Sequence, residues 1–140
     1  MENEQLVKAA LEARSMSYAP YSKFRVGAAL LCEDGTVIKG GNIENSSYGA
    51  TNCAERTAFF KAVSEGHRRF TKIAIAGGSE ETEQVSDFAY PCGICRQVMR
   101  EFCDKDQFQV IVAKSETEYE TYLLEELLPK SFGPENLNKR

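Results

Sequence analysis

The chain of 140 residues has no long apolar run, and its mean hydropathy is -0.41. A transmembrane helix needs about 20 consecutive, mostly apolar residues, so none is expected. An excess of positive charge is also missing: Lys+Arg total 17 against Asp+Glu 21, a net charge of -4. A surface that tracks phosphates needs the opposite sign, so no nucleic-acid partner is expected. The start, Met1-Glu2-Asn3-Glu4-Gln5, has neither a basic region nor an apolar stretch behind it. A secretory signal is therefore not expected, and a cytoplasmic location is. Histidine is scarce: its one copy, His67, sits between Gly66 and Arg68-Arg69 and reads as a solvated loop residue. Internal repeats, linkers and low-complexity tracts are lacking, which leaves one domain over 1–140, with 133–140 as a loosely held tail. The remaining balance, 42% hydrophobic and 27% charged, is that of an ordinary globular domain. Five cysteines, an odd number without an export signal, read as thiols, ligands or packing rather than as a disulfide framework.

Leu6, Ala9, Ala10 and Ala13 recur at helical spacing, so a first helix is expected from Glu2 to about Ser17, stopped by Pro20. Phe24 to Cys32 and Thr36 to Asn42 are β-leaning runs joined by Asp34-Gly35, which predicts an antiparallel hairpin. From Gly40 to Tyr48 turn formers dominate, and a loop at the sheet edge is expected. A second helix is predicted from Cys53 to about Glu65, with Gly66 just past its last turn. Lys72 to Ala76 reads as a short buried strand, Gly77 to Ala89 as an acidic loop, and Cys92 to about Cys103 as a third helix. Phe108 to Ala113 is the next strand, and Tyr122 to Leu128 a last helix ended by Pro129. Strand, helix, strand implies a right-handed crossover and a parallel pair beside the hairpin, hence an α/β fold with a mixed sheet covered by helices.

Chemistry concentrates at two helix starts. Cys53-Ala54-Glu55 opens one and Pro91-Cys92-Gly93-Ile94-Cys95 the other. Backbone N–H groups and the helix dipole stabilise thiolates at such ends. Cys92 and Cys95, one turn apart, suit a single Zn²⁺ at about 2.3 Å from each sulfur, with Cys53 as a third ligand. A fourth ligand is not found. Cys103 lies about 12 Å along its helix from Cys95, His67 about 21 Å beyond Cys53, and Cys32 sits in the strand before the hairpin turn. Cys32 and Cys103 read as small buried hydrophobes. Three ligands leave one position open to water, the arrangement of a catalytic zinc. Glu55, two residues after a ligand and on the apolar stripe, is placed to move that water's proton to a substrate nitrogen, and burial raises a carboxyl pKa in the sense this shuttle needs.

The pattern resembles the three-cysteine form of the zinc nucleobase deaminases. More closely, the chain from Tyr18-Ala19-Pro20-Tyr21-Ser22-Lys23-Phe24 to Phe132 resembles the small homo-oligomeric cytidine deaminases. Phe24-Arg25-Val26-Gly27-Ala28-Ala29-Leu30, Asn42-Ile43-Glu44-Asn45, Cys53-Ala54-Glu55-Arg56-Thr57-Ala58, Pro91-Cys92-Gly93-Ile94-Cys95-Arg96-Gln97 and Glu126-Leu127-Leu128-Pro129 carry the resemblance. It implies a three-layer α/β/α sandwich with a mixed five-stranded sheet and one Zn²⁺ per subunit. The implied activity is hydrolytic deamination of cytidine and deoxycytidine, a reaction of pyrimidine salvage. By the same resemblance Asn42 and Glu44 bind the ribose hydroxyls, Phe24 packs against the base, and the Ala54 backbone with Glu55 reads the pyrimidine edge. Tyr48 and Phe132 match positions that complete a neighbour's pocket in a homotetramer, and Arg56 matches a residue hydrogen-bonded to the cysteine sulfurs. Tyr90 departs from the pattern, since many relatives carry Ser before Pro-Cys. The position acts through its main-chain carbonyl, so the chemistry is expected to survive.

Blander readings compete. Asn52 with Glu55 three residues on is a capping pair, Cys92 and Cys95 fit a redox pair, and Arg68, Arg69 and Lys72 form an exposed basic turn. Rival functions are deamination of another aminopyrimidine and a non-catalytic zinc-stabilised interaction module, which requires a fourth protein ligand.

Overall fold

The computed structural model describes residues 1–79 and 88–137. β1 (Phe24–Cys32) and β2 (Val37–Gly41) form the expected hairpin, with Gly35 in the turn at a φ of 94°. β1 also pairs antiparallel with β3 (Phe70–Ser79), β3 parallel with β4 (Gln109–Ala113), and β4 antiparallel with β5 (Tyr119–Leu123). The five-stranded order is β2-β1-β3-β4-β5.

Side chains alternate along a strand with period two, and here both sets are buried. Ala28 and Leu30, Ile73 and Ile75, and Val110 and Val112 face a core shared with α2 (Ala54–Ser64) and α3 (Gly93–Phe102). Ala29 and Leu31, Ala74 and Ala76, and Ile111 and Ala113 face the other core, filled by Leu6, Val7 and Ala10 of α1 (Asn3–Ala13). Helices on both faces of a mixed sheet make the expected three-layer α/β/α sandwich. Phe59 of α2 anchors the larger core, fully buried among Phe70, Phe102 and Phe108 with ring centroids 5.2 to 6.2 Å away. Among the described residues no helix is long and apolar enough to cross a membrane.

Two glycines set where the functional elements lie. A Cβ on Gly40 of β2 would stand 2.7 Å from the Ala58 nitrogen, so the first turns of α2 rest directly on the strand. A Cβ on Gly77 of β3 would stand 2.9 Å from the Phe24 ring, which lies across that position.

Several boundaries differ from the sequence reading. The first helix gives way after Ala13 to a 3-10 turn, Arg14–Met16, closed by Ser17 N–H and Oγ–H donating to the Arg14 carbonyl. Gly77, Gly78 and Ser79, read as the start of a loop, extend β3, because β1 supplies partners as far as Phe24. The rest of that loop lies outside the described residues up to Phe88. Tyr122 and Leu123, assigned to the last helix, belong to β5, paired with Val110 and Gln109. The helix itself is only α4 (Leu124–Leu127), whose start is fixed by Leu123 N–H donating to Glu126 Oε1 at 2.8 Å. In the expected loose tail a short helix, α5 (Pro134–Leu137), is tied to α3 by contact of the Arg100 guanidinium with Glu135.

Candidate functional site

Cys53 is the N-cap of α2 and Cys92 the N-cap of α3, both in extended backbone, and Cys95 follows in the first turn of α3. The two helix starts face each other. The three sulfurs lie within 4.8 Å of one another, Cys53 and Cys92 at 3.8 Å. Sulfurs at tetrahedral positions around one Zn²⁺ stand about 3.8 Å apart, the separation that Cys53 and Cys92 show here. Cys95 is buried, Cys53 half-buried and Cys92 exposed, which leaves the centre accessible from one side. Among the described residues the metal-capable group consists of these three; His67 and Cys32 lie in a different cluster.

Three sulfurs at close range need a counter-charge. Arg56, one turn into α2, donates from Nη2 to Cys53 Sγ at 3.2 Å. The hydrogen bond from Cys95, followed by that from Arg56, pulls the Cys53 thiol down to about 5, against the opposing effect of burial. Cys53 is thus held as a thiolate, the form that binds metal. The Arg56 Nε–H is buried and has no partner among the described residues.

Glu55 is 4% exposed, on the face of α2 turned to the core and the cysteines. Burial is the main cause that pushes its carboxyl up to about 7, and the Cys53 charge adds to it. No capping box forms at this helix start, where Cys53 rather than Asn52 is the N-cap. The Asn52 amide donates instead to Thr57 Oγ1 at 3.2 Å.

A cavity of about 310 Å³ opens over this centre. Phe24, Asn42, Cys53, Ala54, Glu55 and Cys92 line it, together with Thr51 and Tyr90. Asn42 is clamped to β1, its Oδ1 accepting from Val26 N–H and its Nδ2 donating to the Phe24 carbonyl, each at 2.9 Å. Glu44 and Tyr48 line an adjoining cavity of about 400 Å³ that shares Thr51. The Glu44 carboxylate accepts from Tyr21 N–H, Ser22 N–H and the Ser22 hydroxyl, and the hydroxyl contact is the main cause that holds its pKa below the usual range. Backbone hydrogen bonds between Ile43 and Asn52 tie the Asn42–Glu44 segment to the residue before Cys53. Phe132 is set apart from its own chain's cavity, on the surface, its carbonyl accepting from Gln97 Nε2 at 2.9 Å.

The sequence reading gave Arg96 no role, yet its guanidinium donates to the carbonyls of Pro91 and Leu127, each at 2.7 Å. It braces the turn that carries Cys92 against the end of α4. Thr51 and the side of Tyr90 were also missed as lining groups, and no local spacing announces them. Tyr90 Oη donates to Glu120 Oε1 of β5 at 2.6 Å, a contact made only through the tertiary fold.

The family model for the cytidine and deoxycytidylate deaminase zinc-binding region matches residues 1–112. The chain belongs to this zinc-binding deaminase family. It is 47% identical to a cytidine deaminase of Halalkalibacterium halodurans over 138 residues, covering 99% of each chain. Identity to a cytidine deaminase of Sporosarcina psychrophila is also 47%, over 99% of this chain and 96% of the relative. The fold superposes on the crystal structure of cytidine deaminase from Burkholderia pseudomallei with a TM-score of 0.84 and 42% identity, covering 94% of this chain and 100% of that one. Membership in this deaminase family gives the three-cysteine cluster its metal: the matched region is zinc-binding, and the donor set suits that ion.

Proposed function

We propose that the chain catalyses the hydrolytic deamination of cytidine and deoxycytidine to uridine and deoxyuridine with release of ammonia. The observation that carries this reading is the meeting of three thiols beside a buried, proton-retaining Glu55, with Cys53, Cys92, Glu55 and Asn42 lining one cavity and Glu44 the adjoining one. Zinc held by Cys53, Cys92 and Cys95 would supply a Lewis acid that makes a water nucleophilic near neutral pH. Three protein ligands are the number of a catalytic rather than a structural zinc.

The protein's own residues do the rest. Glu55 accepts the water proton as the oxygen adds to C4, and delivers it to N3, so that C4 becomes tetrahedral. The proton of the hydroxyl now on C4 passes through the same carboxyl to the amino group, the C4–N4 bond breaks as the C4 carbonyl forms, and ammonia leaves. A carboxyl with a pKa near 7 exchanges protons in both directions with little penalty at neutral pH. The Ala54 backbone holds the pyrimidine edge and Phe24 covers the base. Asn42 and Glu44 hold the ribose hydroxyls with groups already fixed by β1 and by Ser22, so little ordering cost falls on binding. Arg56 offsets the charge of three thiolates.

The domain works as one unit over 1–140 in a cytoplasmic homotetramer. Tyr48 and Phe132, exposed at 77% and 58%, reach a neighbour's pocket there. The test is ammonia release and the ultraviolet change when zinc-loaded protein meets cytidine, deoxycytidine, cytosine and cytidine monophosphate in parallel. Turnover of the two nucleosides alone is the expected result. Turnover of cytosine at the same efficiency removes the sugar-reading role of Asn42 and Glu44, and silence on all four removes the reaction.

A further inference from the structure

Two side chains that cannot reach the three-cysteine centre, Cys32 and His67, meet each other elsewhere. Cys32 ends β1, Asp34 stands in the β1–β2 turn, and His67 follows Gly66 past the C-terminal end of α2. Their ligand atoms all lie within 4.8 Å of one another, at the opposite end of α2 from Cys53. We propose that Cys32, Asp34 and His67 form a second metal site, for a divalent transition ion of the zinc class.

The backbone around the three residues is fixed before any metal binds. Cys32 N–H donates to the Thr36 carbonyl at 2.9 Å, and Gly35 N–H donates to the Cys32 carbonyl at 3.0 Å, which closes the turn. Asp34 uses one oxygen, Oδ1, to accept from Thr36 N–H at 3.0 Å, and its Oδ2 points to His67. His67 is held by its N–H donating to the Ala62 carbonyl at 3.0 Å, where Gly66 reverses the chain with a φ of 102°. Glu33 N–H donates to the Arg69 carbonyl at 2.9 Å and locks the two loops together.

Oδ2 of Asp34 and Nδ1 of His67 stand 3.8 Å apart, past hydrogen-bond reach. Nitrogen and oxygen ligands on one tetrahedral zinc stand about 3.4 Å apart, so a cation between them requires only a small rotation of the exposed carboxylate. Cys32 is buried, yet it lines a cavity of about 270 Å³ together with Asp34 and His67, with room for an ion and for a water as fourth ligand. Binding displaces the proton of the Cys32 thiol, which burial pushes up to about 11, and a thiolate, a carboxylate and an imidazole then place two negative charges against a divalent cation. Such a mixed S/O/N set selects zinc, cobalt or nickel over magnesium or calcium. Arg68, which also lines the cavity, donates from Nη1 to the carbonyls of Val63 and His67. That geometry engages one end of its guanidinium with backbone. The remaining positive charge makes this site weaker than the three-cysteine centre.

The test uses the zinc-loaded protein, freed of loosely held metal and then titrated with Co²⁺, whose visible bands and near-ultraviolet thiolate charge transfer report coordination, while elemental analysis follows the resident zinc. One Co²⁺ is expected to bind per chain with a charge-transfer band and no loss of zinc. Cys32→Ser is expected to lose the band, and Asp34→Asn and His67→Ala each to weaken binding at least tenfold. Binding without charge transfer, a band that survives in Cys32→Ser, or His67→Ala and Asp34→Asn that both bind as tightly as the wild type overturns the proposal. So does a titration in which no Co²⁺ binds unless zinc is released.

Discussion

Replacing Arg56 by Met tests how Cys53 of the three-cysteine centre is kept ionised. The side chain keeps much of its apolar stem, and what is removed is one charge-assisted hydrogen bond, Arg56 Nη2 to Cys53 Sγ at 3.2 Å, together with the positive charge behind it. Loss of a hydrogen-bonding partner of a metal ligand costs about 10- to 100-fold in metal affinity, and zinc affinity is expected to fall by that factor. The loss has a predictable pH dependence. In the wild type Cys53 is drawn down to about 5 and is already a thiolate at neutral pH. Without the guanidinium its pKa rises, protons compete with the metal, and the deficit grows as pH is lowered. Competition against a chromophoric chelator at several pH values measures this directly, with far-ultraviolet circular dichroism as the check on folding. Arg56→Lys keeps the charge but not the planar fork and should fall between the two. A folded Arg56→Met protein that binds zinc as tightly as the wild type at every pH refutes the reasoning.

Glu55 carries a stability cost that its removal should reveal in the metal-free protein. An unfolded carboxyl ionises near 4.5, whereas Glu55 in the fold holds its proton to about 7. The unfolded state therefore loses its proton first, and the wild type becomes less stable as pH rises through that window, an effect complete above it. Thermal unfolding should show Glu55→Gln gaining on the wild type across the same range; parallel curves contradict the assignment. Phe59→Ala empties the centre of the larger core and should cost about 3–5 kcal/mol, read as a lower urea midpoint with zinc ligands untouched. Phe132→Ala should raise the KM for cytidine with little change in unfolding of the isolated subunit, because the ring is exposed on its own chain; an unchanged KM removes it from the neighbour's pocket.

The clustering of Cys53, Cys92 and Cys95 was legible in the sequence because its parts are local. Cys53 with Glu55, and Cys92 with Cys95, are short spacings at helix starts, and the fold has only to bring two such starts together. Both faces of the sheet were legible for a similar reason, since Ile73 to Ala76 and Val110 to Ala113 are continuous apolar runs of the kind that strands covered on two sides require. β5 was not, because Tyr119 to Leu123 is a half-exposed edge strand whose partner, β4, supplies the pairing that no local pattern announces. Propensity places Gly77 and Gly78 in a loop, and the long β1 overrides that preference. Contacts such as Arg96 to the Leu127 carbonyl and Tyr90 to Glu120 join residues about 30 positions apart and leave no periodic trace.

The most direct test of the catalytic account is ammonia release from cytidine by the wild type and by Glu55→Gln at equal zinc content. The account predicts one zinc bound at the three cysteines in each protein, steady turnover by the wild type, and a rate at least about a hundredfold lower in the variant, the scale of a lost general acid–base group. A zinc-loaded Glu55→Gln that deaminates cytidine as fast as the wild type contradicts it.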